Sequence, residues 1–350
     1  MKLLLKQLTL TITCNASLMG LIACQPISDS ANSESTNSAE SLPGQGVIVS
    51  SAVGIQEEKF QAEIVNIGLE KLGYKTEEIK QLDYPTMYVA IANQDLDFTA
   101  AYYRRGHIEF FENAGGSEKL ERIGSIVDPV TQAYKIDLKT ADEYNITNLE
   151  QLKDPKIAQQ FDSDGDGKAN LIGCNTGWRC ERVIDHHIDV YGLRDTVEQD
   201  SGSYFALIAD GITRYNQGEP ILFYTWTPLW VSSVLKEGQD VISLEVPYTD
   251  LPGALDQYRE KDTTVNGKNM GLLIEQAAVL GNHVFLSANP AAKRFFELVQ
   301  VPVEDVSAEN ELIQQGENKP EDIRRHAEEW VQNNQQLFDS WVEAAKEADE

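Results

Sequence analysis

From Gly46 onward the chain alternates short apolar runs with amphipathic stretches. GVIVSS, residues 46–51, is a strand candidate, and Phe60, Ile64, Ile67, Leu69 and Leu72 then share one side of a helix expected from about Glu57 to Leu72. Extended structure resumes at Tyr74-Lys75, a second short helix spans Met87 to Ala92, and Asp97 to Tyr103 is a strand that ends in aromatics. This β-α-β-α-β rhythm predicts a mainly parallel sheet covered by helices. A second block, from about Thr140 to Gly267, carries expected helices at 180–192 and 203–216 and the strand Ile221 to Thr225, with no solenoid period. Pro320 opens a long helical segment in which Ile323, Ala327, Trp330, Leu337, Phe338, Trp341 and Ala345 recur at helical spacing, so both tryptophans belong in a core.

The pattern before Gly46 is different. Met1 to Ala23 carries Lys2 and Lys6 without an acidic residue, then a mostly apolar run that ends Leu21-Ile22-Ala23-Cys24. It reads as an export segment, too short and too Thr-rich for a good membrane span. Leu-Ile-Ala-Cys resembles a bacterial lipobox, which would make Cys24 the lipidated first residue of the mature chain. An ordinary secretory signal with an incidental cysteine is the other reading, and both place the mature protein outside the cytoplasm. QPISDSANSESTNSAESLPG, residues 25–44, has almost nothing apolar to bury and reads as a flexible tether, so that residues 24–44 form the linker.

A chain of 350 residues with 41% hydrophobic content is long enough for two α/β lobes, each with its own core. The formal net charge of −27 arises from 56 acidic against 29 basic residues. A nucleic-acid-binding surface, which must meet phosphates with a basic face, is thereby excluded as a reading.

The densest chemistry lies in LIGCNTGWRCERVIDHH, residues 171–187. With Cys14 in the export segment and Cys24 assigned to lipid, Cys174 and Cys180 are the mature chain's pair, and in an oxidising compartment they most simply form a disulfide. The alternatives are a zinc or redox enzyme that uses both cysteines with His186 or His187. The spacing is not that of a C-x-x-C redox motif, and adjacent helical histidines point about 100° apart. Asp162, Asp164 and Asp166, with Gly167 close behind, match the first half of a calcium loop, but position twelve is Gly173 rather than Glu. A weak calcium site, a plain Asp/Gly turn and a calcium-dependent surface-binding protein stay open. No phosphate loop, nucleophile elbow or zinc-protease helix is visible, and no cofactor is called for. Aromatics do stand at segment ends: Tyr102-Tyr103, Trp178 and Trp226, where α/β lobes collect ligands.

At these residues the chain resembles the periplasmic glycine betaine/proline betaine-binding proteins of ABC osmoprotectant importers, of the ProX type. The family's G-C-N-x-G-W-x-C loop reads Gly173 to Cys180 here, and its Y-T-W-T-P-x-W segment reads Tyr224 to Trp230. Lys139 to Leu171, LEKLGY at 69–74 and the C-terminal helical region extend the resemblance over roughly residues 44–347. It implies a two-lobed solute-binding fold of type II-like organisation with the ligand between the lobes: 45–138 with 270–350, and 139–269. It further implies an aromatic cage of Tyr103, Trp178 and Trp226, a carboxylate held by His107 and the N–H groups of Arg179 and Cys180, no catalysis, and delivery to a membrane permease and its ATPase. A quaternary ammonium has no N–H to donate, so ring faces recognise it. Three faces at about 1–2 kcal/mol each, with a bound carboxylate, approach the roughly 8 kcal/mol of micromolar binding.

Two departures stand out. Tyr103 occupies a position where the family commonly has Trp. Arg179 replaces a usual glycine, and Arg104-Arg105 a usual Thr-Pro. The Arg179 side chain is expected to point to solvent, to pair with the ligand carboxylate, or to crowd the cage.

Overall fold

The computed structural model describes residues 41–349. The export segment, Cys14, Cys24 and most of the tether lie outside the described residues. The tether's last residues lie inside them: Gly44 is buried and donates its N–H to Leu72 O at 2.9 Å. The packed fold therefore begins before Gly46. No helix among the described residues is long and apolar enough to cross a membrane.

The main helices are α1 (Lys59–Lys71), α2 (Tyr84–Ala92), α3 (Ile108–Asn113), α4 (Arg179–Val190), α5 (Tyr204–Asn216), α6 (Pro290–Leu298), α7 (Val303–Gln315), α8 (Pro320–Asn333) and α9 (Gln335–Lys346). Each forms where an apolar stripe can be buried. Phe60, Ile64 and Leu69 of α1 go into the core, and Gly68 lets α6 approach, since a Cβ there would stand 2.0 Å from the Phe295 ring. Pro85 sits in the first turn of α2, which starts three residues before the expected Met87. The C-terminal segment breaks at Asn334 into α8 and α9, and Trp330 and Trp341 are core residues.

The main sheet contains β1 (Phe98–Tyr103), β2 (Leu120–Asp137), β3 (Ala169–Ile172), β4 (Val197–Asp200), β5 (Leu222–Thr227), β6 (Val241–Leu244) and β7 (Glu275–Asn282), in the order β1-β7-β2-β5-β3-β4 with β6 also on β2. The β3–β4 and β3–β5 pairs are parallel, whereas β1–β7, β7–β2, β2–β5 and β2–β6 are antiparallel. The expected mainly parallel sheet is thus corrected to a mixed one. Its GVIVSS segment contributes the short parallel pair Ile48–Val49 with Lys75–Thr76 and a single parallel bridge from Ser51 to Phe98 of β1, and just beyond it Ala52–Val53 pairs with Lys80–Gln81.

The cause is β2, an 18-residue strand that runs through both halves of the molecule. Its first part pairs with β7, from Leu120↔Asn282 to Val130↔Glu275, and its second with β5, from Thr131↔Thr227 to Ile136↔Leu222. The core changes at the same place. Ile123, Ile126 and Val130 pack with Phe60, Phe98, Phe295 and Phe338, whereas Tyr134 and Ile136 pack with Leu171, Val183, Tyr204 and Phe223. The chain returns through Leu273, of the second core, to Ala277, of the first. The result is a two-lobed α/β fold with the sheet continuous between the lobes.

Candidate functional site

The loop between β3 and α4 is fixed by its own hydrogen bonds and a disulfide. Trp178 N donates to Asn175 O at 3.0 Å, Gly177 N to the Glu181 carboxylate at 2.7 Å, and Asn175 Oδ1 accepts Tyr204 N at 2.6 Å. Gly177 takes φ +87°, a left-handed turn in which a glycine is favoured. Cys174 and Cys180 are joined as a disulfide with their Cα atoms 6.0 Å apart. This turn sets Trp178 at the N-cap position of α4, where it offers no side-chain cap. The N–H groups of Arg179 and Cys180 in the first turn thus make no hydrogen bond within the described chain, and both residues line a cleft between the lobes.

Trp178 faces Trp226 from β5 with ring centroids 6.1 Å apart at 63°, and Trp226 is backed by Tyr204 at 4.8 Å. From the other lobe, Tyr84 stands 6.0 Å from Trp178 and 6.2 Å from Tyr103. The structure therefore brings Tyr103, Trp178 and Trp226 into one cavity and adds Tyr84 and Tyr224 to its wall. Glu58 orients two of these phenols: it accepts from Tyr84 OH and Tyr103 OH at 2.7 Å each, and from the N–H of Gly54 at 2.8 Å and of Ile55 at 3.2 Å. Burial pushes the Glu58 carboxyl up, against those four hydrogen bonds. Burial and the Glu58 charge together push both phenols well above their ordinary range, so both rings stay neutral.

His107 is buried at the start of α3, with Nδ1 2.6 Å from Tyr88 OH. Its Nε2 has no partner within the described chain. Burial, helped by the Arg179 charge, holds its pKa well below 6.5, so the imidazole is neutral at physiological pH. The Tyr88 hydroxyl also lies 3.5 Å from Ala101 O, so it can either donate to Nδ1 or accept from it, and the imidazole lines the cleft.

Of the three expectations for Arg179, the first is overturned: its side chain does not point to solvent. It is buried, and Nη2 lies 3.4 Å from Glu275 Oε1 at the end of β7. Glu275 also accepts Arg105 N at 3.1 Å, and burial raises its carboxyl against the Arg179 charge. The sequence offered no sign of Glu58, Tyr84 or Glu275, which lie far from the motifs in the chain.

The other candidates resolve differently. His187 is fully buried between Tyr134 OH (2.8 Å) and Asp250 O (2.9 Å), and burial pushes its pKa down to about 3. His186 Nε2 lies 2.6 Å from Asp250 Oδ1. With both sulfurs bonded to each other and both imidazoles engaged with other groups, the zinc or redox arrangement does not form. Asp162, Asp164 and Asp166 do converge, with ligand atoms within 4.8 Å of one another, but their oxygens accept the N–H groups of Gly165, Gly167, Asp166 and Lys168. That pattern closes the loop by itself.

Two lobes joined by the through-running β2 and by the returning segment at 273–277, with a ring-lined cleft that reaches an uncapped helix, have the architecture of a solute-binding protein. The chain belongs to the family of substrate-binding domains of ABC-type glycine betaine transport systems, whose family model matches residues 46–333. It is 45% identical to the glycine betaine-binding periplasmic protein OusX of Dickeya dadantii, over 89% of this chain and 93% of that one. It is 44% identical to the glycine betaine/proline betaine-binding periplasmic protein of Escherichia coli, over 88% and 92% respectively. The fold is shared with ProX of Borrelia burgdorferi, a glycine betaine, L-proline ABC transporter binding protein (TM-score 0.65, 19% identity, 87% of this chain and 100% of that one). It is also shared with lactococcal OpuAC in its closed form complexed with glycine betaine (TM-score 0.62, 16% identity, 85% and 99%).

Proposed function

We propose that this chain is the extracytoplasmic substrate-binding component of an ABC importer, that it binds glycine betaine or a related quaternary ammonium osmoprotectant, and that it delivers it to a permease with its ATPase. The observation that carries the reading is the presence of opposite chemistries side by side in one cavity. Its wall carries the electron-rich faces of Tyr103, Trp178 and Trp226, joined by Tyr84. Beside them stand the free N–H groups of Arg179 and Cys180 at a helix N-terminus, and the neutral His107, whose ring lies 4.6 Å from Tyr84 and 5.1 Å from Tyr103. A short zwitterion with a trimethylammonium head and a carboxylate tail satisfies both at once. In this reading the lobes expected at 45–138 with 270–350 and at 139–269 divide instead where the core changes, at about 130 and 274, and close on the ligand, and Cys24 carries a lipid anchor.

Calorimetric titration of the mature chain with glycine betaine tests this. Micromolar binding is expected in the wild type. Trp178→Ala should lose at least about 30-fold in affinity, the worth of one desolvated cation–π face, with an unchanged circular dichroism spectrum. Retained affinity in the folded variant would refute the cage.

A further inference from the structure

A cage of ring faces binds any quaternary ammonium, because the ring quadrupole responds to the cation and to nothing attached to it. Choline and glycine betaine present the same head, so a site that separates them must do so at the far end. In this cavity the helix N-terminus carries only a partial charge and His107 is neutral. Arg179 alone among the side chains lining the cleft brings a full positive charge.

We propose that Arg179 is a specificity-determining residue of this site: held by Glu275 at the carboxylate end of the cavity, its guanidinium makes the site select zwitterions that carry an anionic group over cations that carry none. The inference rests on the betaine-binding reading above and sharpens it.

Three observations support it independently of one another. Arg179 is only 9% exposed, and its Nε–H is buried without a hydrogen-bond acceptor, so the side chain is not a solvated ornament of the helix. Its position is enforced from outside the helix. Glu275 is 1% exposed, engages Nη2 at 3.4 Å, and is itself fixed by Arg105 N–H at 3.1 Å. The packing around the pair leaves no room for another side chain: a Cβ on Gly106 would stand 2.3 Å from Arg179 Nε and 2.5 Å from Glu275 Oε1. Gly106, Arg179 and Glu275 therefore form one fitted unit, contributed by three separate segments.

The role of Glu275 follows from its charge. It balances the buried guanidinium, which would otherwise be costly, and draws it to the wall so that it does not collapse into the cage. Glu275 is thus a positioning residue that acts through Arg179. A ligand carboxylate docking beside the guanidinium gains a charge-assisted interaction, whereas a hydroxyl in its place gains a weaker one.

The test measures glycine betaine and choline affinities by calorimetry on the mature chain, as the wild type, Arg179→Gln, and Arg179→Gln with Glu275→Gln. The double variant leaves no unpaired buried charge, so it folds even if the single one does not. The betaine-to-choline affinity ratio is expected to fall at least about tenfold in the double variant, through lost betaine binding. It should fall further in the single variant, where the orphaned Glu275 carboxylate favours a bare cation. A ratio unchanged in a folded double variant overturns the proposal. If the wild type binds neither ligand, the failure belongs to the betaine-binding reading instead.

Discussion

A glycine at 106 is required by what surrounds it rather than by its own backbone. Gly106→Ala would drive a methyl into Arg179 Nε and Glu275 Oε1, and overpacking of this kind costs about 1–3 kcal/mol. The variant should melt lower than wild type and bind glycine betaine more weakly, both readable in one thermal-shift experiment with and without ligand. Nothing local in the sequence marks this position. Trp178 and Trp226 were legible because each stands in a distinctive motif at the end of a segment. Glu58 was not, since one of the phenols it orients, Tyr103, is 45 positions away in the chain, and a glutamate near a helix start, here beside Glu57, reads as an exposed first-turn acid. Tyr84 was hidden for a similar reason: its ring joins the cage only once α2 is brought across the cleft from the cysteine loop.

Helix α4 illustrates how one element serves two tasks. Its first turn faces the cleft, and its last turn is anchored through His187 to Tyr134 on β2 and to the Asp250 backbone. His187 stays neutral in the fold to a pH of about 3, whereas an unfolded histidine takes up a proton near 6.5. Below that unfolded value the unfolded state binds the extra proton, so stability falls as pH drops, by up to about 1.4 kcal/mol per unit from this group. Urea unfolding at several pH values should show a shallower acid-side decline in His187→Gln than in wild type. The difference between the two proteins isolates His187 from Glu57, whose burial pushes its carboxyl up to about 7 and acts with the opposite sign. Helices such as this were legible from their apolar stripes to within a few residues. Strand β2 was not, because Pro129 and Gly124 interrupt its alternation. Both fall where the ladder with β7 shifts register, and Gly124 takes φ +58° with Phe296 O so close that a Cβ would lie 2.3 Å from it. Bulges absorb residues that argue against a strand when the sequence is read alone.

At the scale of the molecule, ion pairs cross the cleft on the side of Arg179. Arg182 meets Glu109 at 2.7 Å, and Arg105 meets Asp262 at 3.4 Å while lying 5.5 Å from the centre of the Tyr258 ring. These pairs are partly exposed, so each is worth under about 1 kcal/mol and is screened by salt. Raising NaCl from about 0.1 to 1 M should weaken glycine betaine binding about two- to fourfold, and Arg182→Gln should blunt that dependence. The same crossing region holds a mechanical consequence of β2. Because its ladder passes from β7 at Val130 to β5 at Thr131 without a loop, the lobes are coupled by a torsion element rather than a free joint. If the lobes close on the ligand as proposed, the movement must twist this continuous strand rather than turn a loop, and its cost would be spread along the ladder. Hydrogen–deuterium exchange would register this as graded protection around residues 128–132 that rises on adding betaine, with no sharp boundary. Under the proposed closure, the twist stored in β2 would itself return the lobes to their resting angle once the ligand leaves.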